Sequence, residues 1–397
     1  MLKTEPLTLL LVMVMTTFHS TTIAPISSHG SLEQDEKISA QSLDQISEAA
    51  SELDSPSTLE QTARKEQSQL LQEVLQPATS KQSSVYINQS LTLPKNSKIS
   101  KQLIFEGDQA TNLIFDANGA DIQALYSQPS ILISSKQQQD VWQVPHHITI
   151  KNATIKGALR IHGMAANGEG ELLKQSSHQP GHTVRAQQAA PHHIQLDHLR
   201  LIAGKHNMMY LAPGVHHVTL KNSHFVGKTP ALALYLDAES GHNTIENNQF
   251  DVQTKTREVI AIDGSAHNII HRNTFINPQH GAIYVYRNCG EGGTVRHQAP
   301  EYNQITQNYF QVSSNSKLPL VWLASRNGRR NYCDADQGYN FGSSMNNHDL
   351  ATHNTVTQNF FNLKKLPTWY RWTMNAKARV IRMNDQPNEI QRNEITH

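Results

Sequence analysis

Two aspartates stand at the same place in two similar runs: Asp237 closes LYLD and Asp263 closes IAID. Runs of this kind recur as LRIH (159–162), MMYLA (208–212), IYVYR (283–287), VWLAS (321–325) and IRMN (381–384). Alternate residues of a strand face opposite sides. The apolar set, such as Leu234 and Leu236, then points inward and the remainder forms two outward columns. One reads Arg160, Tyr210, Tyr235, Ala261, Tyr284, Trp322, Arg382, and the other His162, Ala212, Asp237, Asp263, Tyr286, Ala324, Asn384. If the strands stack in order, Asp237 and Asp263 are neighbours with Cβ atoms about 5 Å apart. Two stacked carboxylates repel, which raises one pKa and suits acid/base work or a hard cation such as Ca²⁺. Tyr210, Tyr235, Tyr284 and Trp322 on a flat sheet suit stacking on sugar faces, since exposed aromatics otherwise cost solubility.

Two insertions follow these strands, 287–301 and 326–349. Both open with Arg-Asn and each holds one of the chain's two cysteines, Cys289 and Cys333. In an exported protein an even pair suggests one disulfide, with two unpaired thiols as the alternative. Arg287, Arg296, Arg326, Arg329 and Arg330 give this wall positive charge suited to carboxylate or sulfate. Glu291, Asp334 and Asp336 are the competing internal partners. The pairs His146–His147, His192–His193 and His216–His217 recur at one place before a strand, as do His242, His267 and His353, and mark a corner rather than a metal site.

The elements that must position these residues follow from a repeat. An apolar residue followed five places on by another apolar or aromatic one occurs at Ile150/Ile155, Leu196/Leu201, Leu220/Phe225, Ile245/Phe250, Ile270/Phe275, Ile305/Phe310, Val356/Phe361 and Ile390/Ile395. The shortest separations are 24 and 25 residues, which fits one coil of a β-solenoid with insertions elsewhere. Asn248, Asn273, Asn308, Asn359 and Asn393 recur three places after the first member, where stacked side chains can hydrogen-bond along the solenoid. The runs HNTIENNQF, HNIIHRNTF, YNQITQNYF and HNTVTQNFF resemble the repeats of right-handed parallel β-helix proteins, the pectin-lyase-like superfamily, over roughly 100–397. NLIFDANGADI (112–122) resembles an early coil. The resemblance implies an all-β solenoid whose groove over the first sheet binds sugar chains. Function stays open, since that family holds lyases, hydrolases, epimerases and adhesins.

The chain has 397 residues and a net charge of +1, which argues against a strongly basic nucleic-acid binder. The charge is segregated: 31–76 carries a net −7 and 77–397 a net +8. Lys3 precedes an apolar run at 7–15, too short to span a bilayer and suited to a signal peptide. The expected organisation is a signal peptide at 1–24, a Ser/Gln/Glu-rich and partly helical spacer at 25–84 with a helix over 59–75, and a right-handed parallel β-helix at 85–397. No transmembrane segment is expected beyond the signal, and export places the protein in a periplasm or outside the cell.

The leading functional expectation is an enzyme cleaving a polysaccharide with acid groups by β-elimination. There a base removes the proton α to a carboxylate while Arg or a cation neutralises the acid. Asp237, Asp263, Arg287 and Tyr286 are the catalytic candidates, with Arg287 or Tyr286 as base and the aspartates holding a cation, possible Ca²⁺ being the one cofactor expected. Tyr210, Tyr235, Tyr284, Trp322, Arg326, Arg160 and His162 are the substrate-binding candidates. The alternatives are a glycoside hydrolase using Asp237 and Asp263 as its acid and base, and a non-catalytic glycan-binding or adhesion protein.

Overall fold

The computed structural model describes residues 58–125, 128–328, 336, 338–346, 348–373 and 379–396. The expected signal at 1–24 and residues 25–57 lie outside them. The described chain winds into a right-handed parallel β-helix. Three parallel sheets hold ten strands each among the described residues. One coil runs from Leu234–Leu236 in sheet A through Thr244–Glu246 in sheet B to Gln249–Thr254 in sheet C.

Register is regular because the repeat is. In sheet A, Arg160 pairs with Tyr210, Tyr210 with Tyr235, Tyr235 with Ala261, Ala261 with Tyr284, Tyr284 with Trp322 and Trp322 with Arg382. The first outward column is therefore a continuous ladder. The inward members Leu234, Ile260, Ile283 and Val321 are fully buried. In sheet C, Phe225, Phe250, Phe275, Phe310 and Phe361 stack inside the solenoid with ring centroids 4.6–5.0 Å apart.

Corners are built by left-handed residues followed by asparagine. Asn247, Arg272, Gln307, Gln358 and Arg392 have φ between 53° and 57°. The next residue in each case is the repeating Asn. Asn248, Asn273, Asn308 and Asn359 each donate through Nδ2 to the Oδ1 of the next, at 3.0–3.1 Å, ending on Asn393. Each Oδ1 also accepts the backbone N–H of the coil before, a donor that no sheet ladder reaches. A second ladder, absent from the sequence-based expectation, runs through Asn243, Asn268, Asn303, Asn354 and Asn388 at the corner entering sheet B.

Helix α1 (Thr58–Leu75) precedes the first coil. Its Leu70 and Val74 are buried in the solenoid core, and Lys101 Nζ donates to the Glu73 carbonyl at 2.7 Å. Among the described residues no helix is long and apolar enough to cross a membrane.

Candidate functional site

The outer face of sheet A carries the candidate residues, and three insertions leaving its strands decide which of them meet solvent. Two are the expected segments 287–301 and 326–349. The third, 163–190, forms helices α2 (Glu171–Ser177) and α3 (His182–Gln188). Their sequences, ELLKQSS and HTVRAQQ, break the repeat inside its first long interval. This third insertion locks onto 287–301: Val295 N–H donates to Ser177 Oγ at 3.0 Å, and His297 Nε2 meets the Ser177 carbonyl at 2.7 Å. Gln187 Nε2 donates to the Glu239 carbonyl at 3.0 Å, tying α3 to the end of a sheet A strand. Gly168 gives Arg296 its place, since a Cβ there would stand 2.2 Å from the guanidinium.

Beneath this cover the two aspartates are buried, not aligned on an open groove. Asp237 is 3% exposed and Asp263 fully buried. Tyr210 donates its hydroxyl to Asp237, and the Ala238 N–H does so at 2.8 Å, with Arg296 Nη1 at 3.4 Å. Tyr235 donates to Asp263 at 2.5 Å, and the backbone and side-chain N–H groups of Asn288 at 2.7 and 2.6 Å. Burial raises the pKa of Asp237; the Arg296 charge opposes this and the Asp263 charge adds to it. The expected repulsion between stacked carboxylates is therefore present, in a sealed place. Calcium does not fit here. A hard cation needs oxygen lone pairs, and these face N–H and O–H donors, with a guanidinium beside them.

Tyr286 and Arg287 are corrected in the same way. Tyr286 is fully buried, donates to Glu258 at 3.1 Å and accepts from Arg257 at 2.8 Å. Burial and then the Glu258 charge push its pKa well above the usual tyrosine value, which keeps its hydroxyl protonated as the donor to Glu258. Arg287 is 2% exposed and donates to the His348 carbonyl at 2.9 Å, so it faces the wall and not a substrate. Arg326 lies over the Tyr286 ring at 4.0 Å and donates to Asn288 Oδ1 at 2.5 Å. Arg296, Arg326 and Arg287 thus meet Asp237, Asn288 and a backbone carbonyl. Asp336 accepts from Ser343. Arg329, Arg330, Asp334 and Cys333 lie outside the described residues, as does the Glu291 side chain, while Cys289 is fully buried.

Along the first column the aromatics are not one open surface. Tyr210 is 6% exposed and Ala261 fully buried, whereas Tyr235, Tyr284 and Trp322 keep part of their area in solvent. Tyr284 packs edge-on against Trp322 at 5.4 Å, and Arg382 lies over the Trp322 ring at 4.6 Å. About five coil spacings, roughly 24 Å, separate that cluster from Arg160.

Arg160 and His162 have different surroundings. Arg160 lies over the Tyr210 ring at 5.1 Å and, among the described residues, has no hydrogen-bonding or ion-pairing partner. It lines a cavity of about 530 Å³ at the corner from sheet C to sheet A. Lys156, Lys205 and His206 share that lining, with Gln123 and Gln128, over a floor of Gly157, Ala158, Ala203 and Gly204. Lys156 is paired with Asp121 at 3.0 Å. His162 follows Arg160 by two residues on the same face, opposite Ser134, whose hydroxyl is buried without a partner. Burial, then the Arg160 charge, lowers the His162 pKa to about 4, so its imidazole is neutral at pH 7. Lys156, Lys205 and His206 were not among the expected site residues. Their only sequence signal is basic character at the ends of successive sheet C strands and in the turns that follow.

No protein-family model matches the sequence, and no curated protein is significantly similar to it. Among solved structures, an alginate lyase from Paenibacillus sp. str. FPU-7 is similar at 13% identity and a TM-score of 0.41, over 82% of this chain and 92% of that one. A GH136 lacto-N-biosidase from Eubacterium ramulus gives 10% identity and 0.41, over 77% of this chain and 49% of that one. The Streptococcus pneumoniae surface protein and adhesin PfbA gives 12% and 0.33, over 82% and 80%.

Proposed function

We propose that this is an exported carbohydrate-active enzyme that cleaves an acidic polysaccharide by β-elimination, with its reacting centre at Arg160 and His162. The observation carrying the reading is the cavity of about 530 Å³, where the Arg160 guanidinium, without a hydrogen-bonding or ion-pairing partner among the described residues, is joined by Lys156, Lys205 and His206. A uronate carboxylate seated there would give Arg160 the bidentate partner that no described residue supplies. Neutralising that carboxylate makes the adjacent C–H more acidic. His162 lies outside the cavity lining, two residues or about 7 Å along the strand on the same face as Arg160, and its neutral ring is the base that this reading assigns. The electron pair left behind forms a C=C bond to the neighbouring carbon. The glycosidic C–O bond at that carbon breaks, and the departing oxygen takes a proton from solvent. The charge of a bound carboxylate offsets that of Arg160, which raises the proton affinity of His162 when a base is needed.

The test is a panel of acidic and neutral polysaccharides, followed by the ultraviolet absorbance of the unsaturated product and by reducing ends. Unsaturated ends from an acidic polymer, lost in Arg160→Ala and His162→Gln, are the expected result. Reducing ends without unsaturation would instead give a hydrolase, and retention of a glycan without either product would give a binding protein.

A further inference from the structure

Three histidine pairs, His146–His147, His192–His193 and His216–His217, stand on consecutive coils at the corner entering sheet B. Within each pair the two Nδ1 atoms are hydrogen-bonded to one another at 2.8, 2.7 and 2.9 Å, one ring carrying the shared proton that a metal ion would replace. The coils hold them in register, His146 on His192 and His192 on His216. The second member has φ 54° in all three, so the same left-handed corner aims each ring. Rings of successive levels stack at 4.7–5.1 Å. The first members are half-buried and the second exposed, so solvent reaches the pairs.

The corner does not require a pair. On the next two coils the second column continues with His242 and His267, stacked at 4.8 Å, while Gly241 and Ala266 occupy the first. Paired imidazoles are therefore an addition to the corner. Two nitrogens each about 2.0 Å from a metal, at a right angle, stand about 2.8 Å apart. That is the edge of a tetragonal site, the geometry that favours Cu²⁺ among divalent ions.

We propose that the stacked histidine pairs bind Cu²⁺, each ion held by the two Nδ1 atoms of one level and completed by water. No three His, Cys, Asp or Glu among the described residues are grouped to hold a metal, so two imidazoles per ion is the limit. Ions on adjacent levels repel at this spacing, so the first ion binds more tightly than later ones.

The test is titration of the full chain with CuCl₂, followed by electron paramagnetic resonance. The expected spectrum is tetragonal copper with coupling to two imidazole nitrogens. His147→Asn, His193→Asn and His217→Asn together should weaken the first binding step about tenfold or more. Asn tolerates the left-handed corner, so the fold is kept. His242→Asn with His267→Asn, in the same column but unpaired, should leave binding as in the parent. The proposal is overturned if the triple variant binds within a few-fold of the parent, or if the double variant loses as much as the triple.

Discussion

Tyr235 donates its hydroxyl to Asp263 on the following coil at 2.5 Å, and Tyr210 does the same for Asp237. The repetition is a structural device. Each tyrosine reaches one coil along and supplies a donor to a carboxylate that the insertions seal from water. A buried carboxylate with its lone pairs met by donors is held; one that loses them is costly.

Tyr235→Phe removes one of the donors to Asp263 and should lower unfolding free energy by about 1–2 kcal/mol. Asp263→Ala also strands the Asn288 N–H groups, and should cost about 3 kcal/mol or more. Denaturant titration measures both. If Asp263→Asn kept parental stability but abolished turnover, the aspartates would belong to the reaction and the site reading would be wrong.

Asn308 is the middle of its ladder. Its Oδ1 accepts from the Asn273 backbone and side chain, and its Nδ2 donates to the Ile270 carbonyl and to Asn359. Asn308→Ala should cost about 2–4 kcal/mol, since buried partners on both sides are left unmet. Asn393 ends the ladder, so Asn393→Ala should cost about half as much. Equal losses at both positions would show that stacking does not carry the stabilisation.

Alternation and stacking are local rules, so the outward columns, the inner phenylalanines and the first Asn ladder were legible in the repeat. The second ladder is also written there, as Asn243, Asn268 and Asn354 each following a histidine, but the more prominent histidine pattern masks it. Burial was not legible. Whether an outward Asp237 meets water depends on what lies over the sheet, and α2 and α3 come from 163–190, which carries no repeat. Strand alternation says where a side chain points. It does not say that Ser177 and Val295, far apart in the chain, close a roof above it.

That roof contains a pH-sensitive group. His182 is buried, with Nδ1 3.0 Å from Ser176 Oγ and its ring edge-on to His297 at 5.2 Å. Its pKa is lowered to about 4, by burial first, with the Glu239 charge acting the other way. The unfolded chain takes the proton nearer pH 6.5. Stability is then level above about pH 6.5 and falls as pH drops toward 4, by at most about 1.4 kcal/mol per pH unit from this group. His182→Gln should flatten the fall between those limits. Parallel acid profiles for parent and variant would remove His182 as a contributor.

Cys289 is buried at the base of the 287–301 insertion. Pairing with Cys333 would close the two walls over the sheet, and we expect it in protein from an oxidising compartment. Alkylation of unfolded protein without reductant should then leave the mass unchanged, and reduction should lower stability by about 2–4 kcal/mol. Two alkylated thiols in exported protein would remove the bridge.

The proposed base has its own signature. The pH dependence of kcat/KM reports the free enzyme, in which His162 titrates at about 4 under burial and the Arg160 charge. The acid limb of kcat/KM should therefore fall near pH 4, well below the ordinary histidine value. In the substrate complex the carboxylate offsets Arg160, so the limb of kcat should lie at higher pH. Arg160→Gln removes the charge that depresses the ring and should move the kcat/KM limb upward, while lowering kcat/KM by about 10² or more through loss of neutralisation. A limb unmoved by Arg160→Gln would separate the two residues, and activity retained in His162→Gln would assign the proton transfer elsewhere.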